Sequence, residues 1–139
     1  MARTFLVALA GIGVILAAGS VRAHHSFSAE FDANAPVTLS GAITKTQWIN
    51  PHAWIHIEVK RPDGALEEWM IEGGTPNELM RRGVGRDTLK LGTLIVVSGF
   101  QAKDGSRRAN GRDITYPDGK KMMLGSSGTG APYEKELRK

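Results

Sequence analysis

The sequence predicts a mostly β domain, an OB-fold-like five-stranded Greek-key barrel with one short helix between strands 3 and 4. Three observations point there. Segments of period-two alternation recur at short intervals, separated by Pro/Gly/Asp turns. A single well-punctuated helix interrupts them after the third strand. The first strand carries a glycine in its middle, the mark of a bulge or bend that a closing sheet needs.

The elements follow in order. Val37 to Thr44 alternates apolar with small polar residues around Gly41, a half-buried strand. Asn50-Pro51 signals a turn. Beyond it Ala53, Ile55, Ile57 and Val59 alternate with His52, Trp54, His56 and Glu58, the clearest period of two in the chain. Arg61-Pro62-Asp63-Gly64 turns back, and Leu66 to Glu72 returns as a third strand. Thr75-Pro76-Asn77-Glu78 reads as a capping box with proline at the first helical position, Leu79 and Met80 on the buried side and Gly83 as the stop. Leu94 to Phe100, apolar on both faces, is expected to be the most buried strand. Ile114 to Tyr116 belongs to a fifth, and Met122 to Leu124 to a last short edge. From Gly125 the Gly/Ser-rich composition and charged end predict a disordered tail.

The N-terminus predicts export. Met1 to Thr4 is a short basic region, Phe5 to Ala18 an apolar run, and Val21-Arg22-Ala23 puts small residues at the −3 and −1 positions of a cleavage site. Cleavage after Gly19 or Ser20 is also sterically acceptable. The apolar run is shorter than the ~20 residues of a spanning helix, so the expectation is a periplasmic or secreted protein with no stable membrane span after cleavage. The expected division is residues 1–23 signal peptide, 24–36 N-terminal arm, 37–124 barrel domain and 125–139 tail. With no cysteine, the chain has no disulfide, thiolate metal site or lipid attachment site. Losing Arg3 and Arg22 reduces 18 basic residues to 16 against 14 acidic. That balance, without a basic stripe, argues against nucleic acid as a partner.

Cleavage after Ala23 makes His24 the first residue. An N-terminal histidine can chelate one metal ion through its α-amine and its imidazole together. The free groups titrate near ~7.7 and ~6.5, so both are available at neutral pH. Copper(II) favours such nitrogen ligands, and zinc is the second choice. His24, His25 and His52 are therefore the expected metal ligands. His52 and His56 lie ~13 Å apart along a strand at ~3.3 Å per residue and cannot act as a direct pair. Trp54 and Glu58 join His56 as possible supporting residues. No serine stands in a nucleophile-elbow context and no general-acid pair is visible, so an enzyme is the less favoured expectation. The alternative is a non-metal OB-like module that uses the Trp54 face for a small ligand, a peptide or an envelope protein.

The signal region followed by His24-His25-Ser26-Phe27, Phe31-Asp32, Val37-Thr38-Leu39-Ser40-Gly41, Trp48-Ile49-Asn50-Pro51-His52 and Gly74-Thr75-Pro76-Asn77-Glu78-Leu79-Met80-Arg81-Arg82-Gly83 resembles a family of small exported bacterial proteins of unknown function. Gly99 to Ser106 is similar to the same family. The resemblance implies that His24, His25 and His52 occupy motif positions; it carries no activity.

Overall fold

One long strand organises the molecule. The computed structural model describes residues 26–137, and within them β1 runs from Phe31 to Gln47. Its first part pairs with β4 (Leu94–Ala102) and its last part with β2 (Trp54–Lys60), the two ladders overlapping at Gly41 and Ala42. A side chain at position 41 would put its Cβ 2.5 Å from the Glu58 carbonyl oxygen, so only glycine lets the strands cross so closely. A register shift between Ile43 and Lys45 bends the strand further.

The turn at 61–65 closes with Arg61 N–H donating to Ala65 O at 2.8 Å and leads into β3, Leu66–Glu72, antiparallel to β2. β5, Arg108–Thr115, is antiparallel to β4 and meets β3 in parallel, with Met70, Ile71 and Glu72 opposite Arg108, Ala109 and Asn110. The strands thus form a ring in the order β1-β2-β3-β5-β4-β1, which is the OB-like, barrel-like arrangement expected from the sequence. The short β6, Lys121–Met123, borders β5. Leu124, expected in that edge, lies just beyond it, wholly buried in the core.

A helical turn, α1 (Phe27–Glu30), precedes β1, and α2 (Pro76–Arg81) lies between β3 and β4. The capping box is formed as expected: Thr75 Oγ1 accepts from Glu78 N–H at 3.2 Å, and Glu78 Oε2 accepts from Thr75 N–H at 3.1 Å. Leu79 is buried but Met80 is 57% exposed, contrary to expectation. A two-turn helix has room for few inward positions, and Val84 and Leu89 from the next loop fill the remaining space. β4 also differs. It alternates, with Ile95 and Val97 buried and Leu94 exposed, because only one of its faces meets the barrel interior.

Two apolar clusters result. Ile43, Ile55, Ile57, Ile71, Val97 and Ile114 are among those filling the ring. Outside it, Phe27, Phe31, Phe100, Ala102, Ala131 and Tyr133 form a second cluster that joins the two ends of the described chain to the wall. Two expectations change here. Residues 31–36, assigned to the arm, are already strand, since Phe31 pairs with Ala102 and Pro36 with Phe100. The tail, expected to be disordered, packs as a strap over residues 125–137, with Ser126, Thr129, Ala131 and Tyr133 buried and a final turn, α3, at Glu134–Leu137. Composition counts its glycines and serines and misses one tyrosine that finds a slot.

Candidate functional site

A single register row runs around the ring: Gln47 opposite Trp54, Trp54 opposite Glu72, Glu72 opposite Asn110, Asn110 opposite Phe100, and Phe100 opposite Pro36. The row leaves β1 at Gln47 and returns to it at Pro36, the stagger that a closed, tilted ring requires. Ile55, Ile71, Ala109 and Val97 belong to the interior cluster. Their neighbours Trp54, Glu72 and Asn110 therefore point to the outer wall. The arm and the strap cover that wall.

His52 stands at the edge of this row. It follows the cis Asn50–Pro51 bond and precedes β2. Its neighbour Ala53 is fixed by two backbone bonds, Ala53 N–H to Gly74 O at 3.0 Å and Gly73 N–H to Ala53 O at 2.8 Å. These extend the β2–β3 ladder past its end and hold the imidazole beside Glu72. His52 is 5% exposed and Glu72 6% exposed. The Nδ1 and Oε1 atoms are 4.0 Å apart, within ion-pair range and too long for a hydrogen bond.

The carboxylate is held from behind. Asn110 Nδ2 donates to Glu72 Oε1 at 3.2 Å, and the Tyr133 hydroxyl donates to Asn110 Oδ1. Burial, reinforced by the nearby Glu72 charge, pushes the Tyr133 phenol well above its usual value, so it remains a donor. Tyr133, Asn110 and Glu72 therefore form a buried hydrogen-bonded chain that ends within ion-pair range of His52.

His56 occupies a different place. Its Nδ1 lies 2.9 Å from Glu68 Oε1 and its Nε2 lies 3.1 Å from Gln47 Oε1, so the ring bridges β1, β2 and β3. Its carboxylate neighbour is Glu68 rather than Glu58, which is exposed. Trp54 is half-buried in the row. His24 and His25 lie outside the described residues. Among the described residues, no three His, Asp or Glu side chains form a group that could hold a metal ion. The sequence pattern places Glu72 only at the end of a strand and gives no role to Asn110 or Tyr133. The only available signal is a carboxylate closing the apolar run Trp69-Met70-Ile71.

The fold and this wall define an OB-like β-barrel with a buried imidazole–carboxylate pair beneath a two-ended cover. A family described as a family of unknown function (DUF6152) matches residues 12–111, and the chain belongs to it. No curated protein and no solved structure matches the chain. No helix among the described residues is long and apolar enough to cross a membrane.

Proposed function

We propose that this is an exported protein, cleaved after Ala23, that binds copper, or zinc as second choice, through the α-amine and imidazole of His24 with His25 and His52, for storage, delivery or sensing of the metal. The observation that carries this reading is the buried His52–Glu72 pair. Metal-binding histidines characteristically have a carboxylate on the ring nitrogen that does not face the metal, and Glu72 faces Nδ1. On this reading Nε2 is the ligating atom.

Chain reach supports it. Phe27 packs edge-on against Phe100, with ring centroids 5.5 Å apart. Phe100 and Glu72 are two strand spacings apart along the row, about 10 Å at ~4.8 Å each. His24 is three residues before Phe27, a span of up to about 10 Å when extended. The arm is thus anchored on the same wall that carries Glu72, and its span is of the same order as the Phe100-to-Glu72 separation. The strongest alternative is a non-metal binding module. It is favoured by an open groove of about 610 Å³ lined by Trp48, Met80 and Arg86, among others, where the Arg86 guanidinium lies 5.8 Å from the Trp48 ring centroid.

Copper(II) titration by competition with a chelator of known affinity decides between them. The chain beginning at His24 should bind one equivalent and lose at least tenfold in affinity when one alanine is added ahead of His24, or in His52→Ala. Equal affinities in the three proteins would remove the N-terminal chelate. A cellular defect caused by Trp48→Ala and not by His52→Ala would favour the groove.

A further inference from the structure

We propose that the C-terminal strap is a working part of the histidine site, with Tyr133 as a positioning residue for His52 and Thr129 as the tether of the arm that bears His24 and His25. The proposal rests on the metal-site reading above and extends it to a segment whose composition suggests a dispensable end.

The first tie is the polar chain. Asn110 has one acceptor and one donor end, and both are used. Because the Glu72 carboxylate can only accept, the Asn110 amide nitrogen must turn toward it, which leaves the Asn110 carbonyl to accept from the Tyr133 hydroxyl. That fixes which way the chain of donors runs and so orients the carboxylate that faces His52 Nδ1. An apolar cover would need only the ring of Tyr133, which lies parallel to Phe100 with centroids 6.4 Å apart. The hydroxyl has a separate job. Room for it is kept by Gly125, where a Cβ would come within 2.2 Å of the Tyr133 ring.

The second tie is to the arm. Phe27 N–H donates to Thr129 O at 2.7 Å, three residues after His24. The Thr129–Gly130 corner is itself held by Glu134, which accepts from Gly130 N–H at 2.6 Å and from Thr129 Oγ1 at 3.1 Å. Arg82 Nη1 donating to Gly125 O at 2.6 Å and Arg112 Nη2 to Glu136 Oε2 at 2.7 Å fasten the strap at its two ends. One segment thus sets both the backing of His52 and the point from which the N-terminal residues leave.

The test uses the full chain from His24 with Tyr133→Phe, which keeps the ring and removes the hydroxyl. Three quantities are read: copper(II) affinity, the copper hyperfine splitting by electron paramagnetic resonance, and the ¹⁵N shifts of the His52 ring in metal-free protein. Expected are a 10- to 100-fold loss of affinity, an altered splitting and moved His52 shifts, with the melting temperature nearly unchanged. Unchanged affinity, splitting and ring shifts would overturn the proposal. If the parent protein takes up no copper, the metal reading alone fails. The metal-free His52 shifts then decide: movement in Tyr133→Phe supports the positioning role, and identity with the parent overturns it.

Discussion

Replacing Phe27 with alanine should weaken copper binding about 100-fold while leaving the barrel folded. Phe27 is buried, lies 5.9 Å from Phe31 and 5.5 Å from Phe100 between ring centroids, and is the last anchored side chain before the histidines. Truncating a buried phenylalanine costs about 3–5 kcal/mol. The lower end applies here, because a chain terminus can relax around the gap. That loss falls on docking of the arm and not on the ring of strands, whose own core contains none of these residues. About 3 kcal/mol is roughly a 100-fold fall in the docking constant, and apparent copper affinity falls by that factor once the undocked arm is the main form of the variant. The assay is competitive copper titration of Phe27→Ala beside a melting curve. Phe27→Leu, which keeps most of the volume, should lose under tenfold. Copper affinity equal to the parent's in Phe27→Ala would refute the claim that docking presents the ligands.

Three further outcomes follow from the same geometry. Gly41→Ala would place a methyl 2.5 Å from the Glu58 carbonyl oxygen; backbone on both sides cannot give way cheaply, so a loss of about 2 kcal/mol or more should lower the melting temperature by roughly 8 °C. His56→Ala should leave copper affinity within about threefold of the parent, because the ring is already committed to Glu68 and Gln47; a large loss would bring that histidine into the site. Acid should release the strap before the barrel. Burial tends to raise the carboxyls of Glu78 and Glu134, but hydrogen bonds from Ser127 and the Thr75 backbone to Glu78, and from the Gly130 and Thr129 backbone to Glu134, hold both below the ordinary value of a glutamate in an unfolded chain. Their contribution is complete above that unfolded-chain value and is lost as pH falls through the lower folded values. Near-ultraviolet circular dichroism of the metal-free protein should therefore change before the far-ultraviolet signal; coincident loss would refute the order.

What the sequence makes legible is what neighbours along the chain decide. The alternation of Ala53 to Val59, the Thr75–Glu78 capping box and the bend at Gly41 each have a local cause, and each is present. β1 begins earlier than its pattern suggests because Asp32 to Pro36 has no strand-forming composition of its own. Pairing of Phe31 with Ala102 recruits it. His56 meets Glu68 and Gln47 diagonally across neighbouring strands, and such pairs appear only once register is known. The polar chain is hidden for a similar reason. Glu72, Asn110 and Tyr133 are 38 and 23 residues apart in sequence and meet only when β3 and β5 lie parallel and the strap crosses them. The strap shows the limit of compositional argument: many small residues are compatible with order when one large side chain is caught.

Native mass spectrometry of the protein recovered from cells expressing the full 139-residue chain reads the first residue and the metal load together. The expected result is one species beginning at His24 and carrying a single copper ion. A chain that begins upstream of His24, or one that begins there and retains no copper when the metal is supplied, would contradict it.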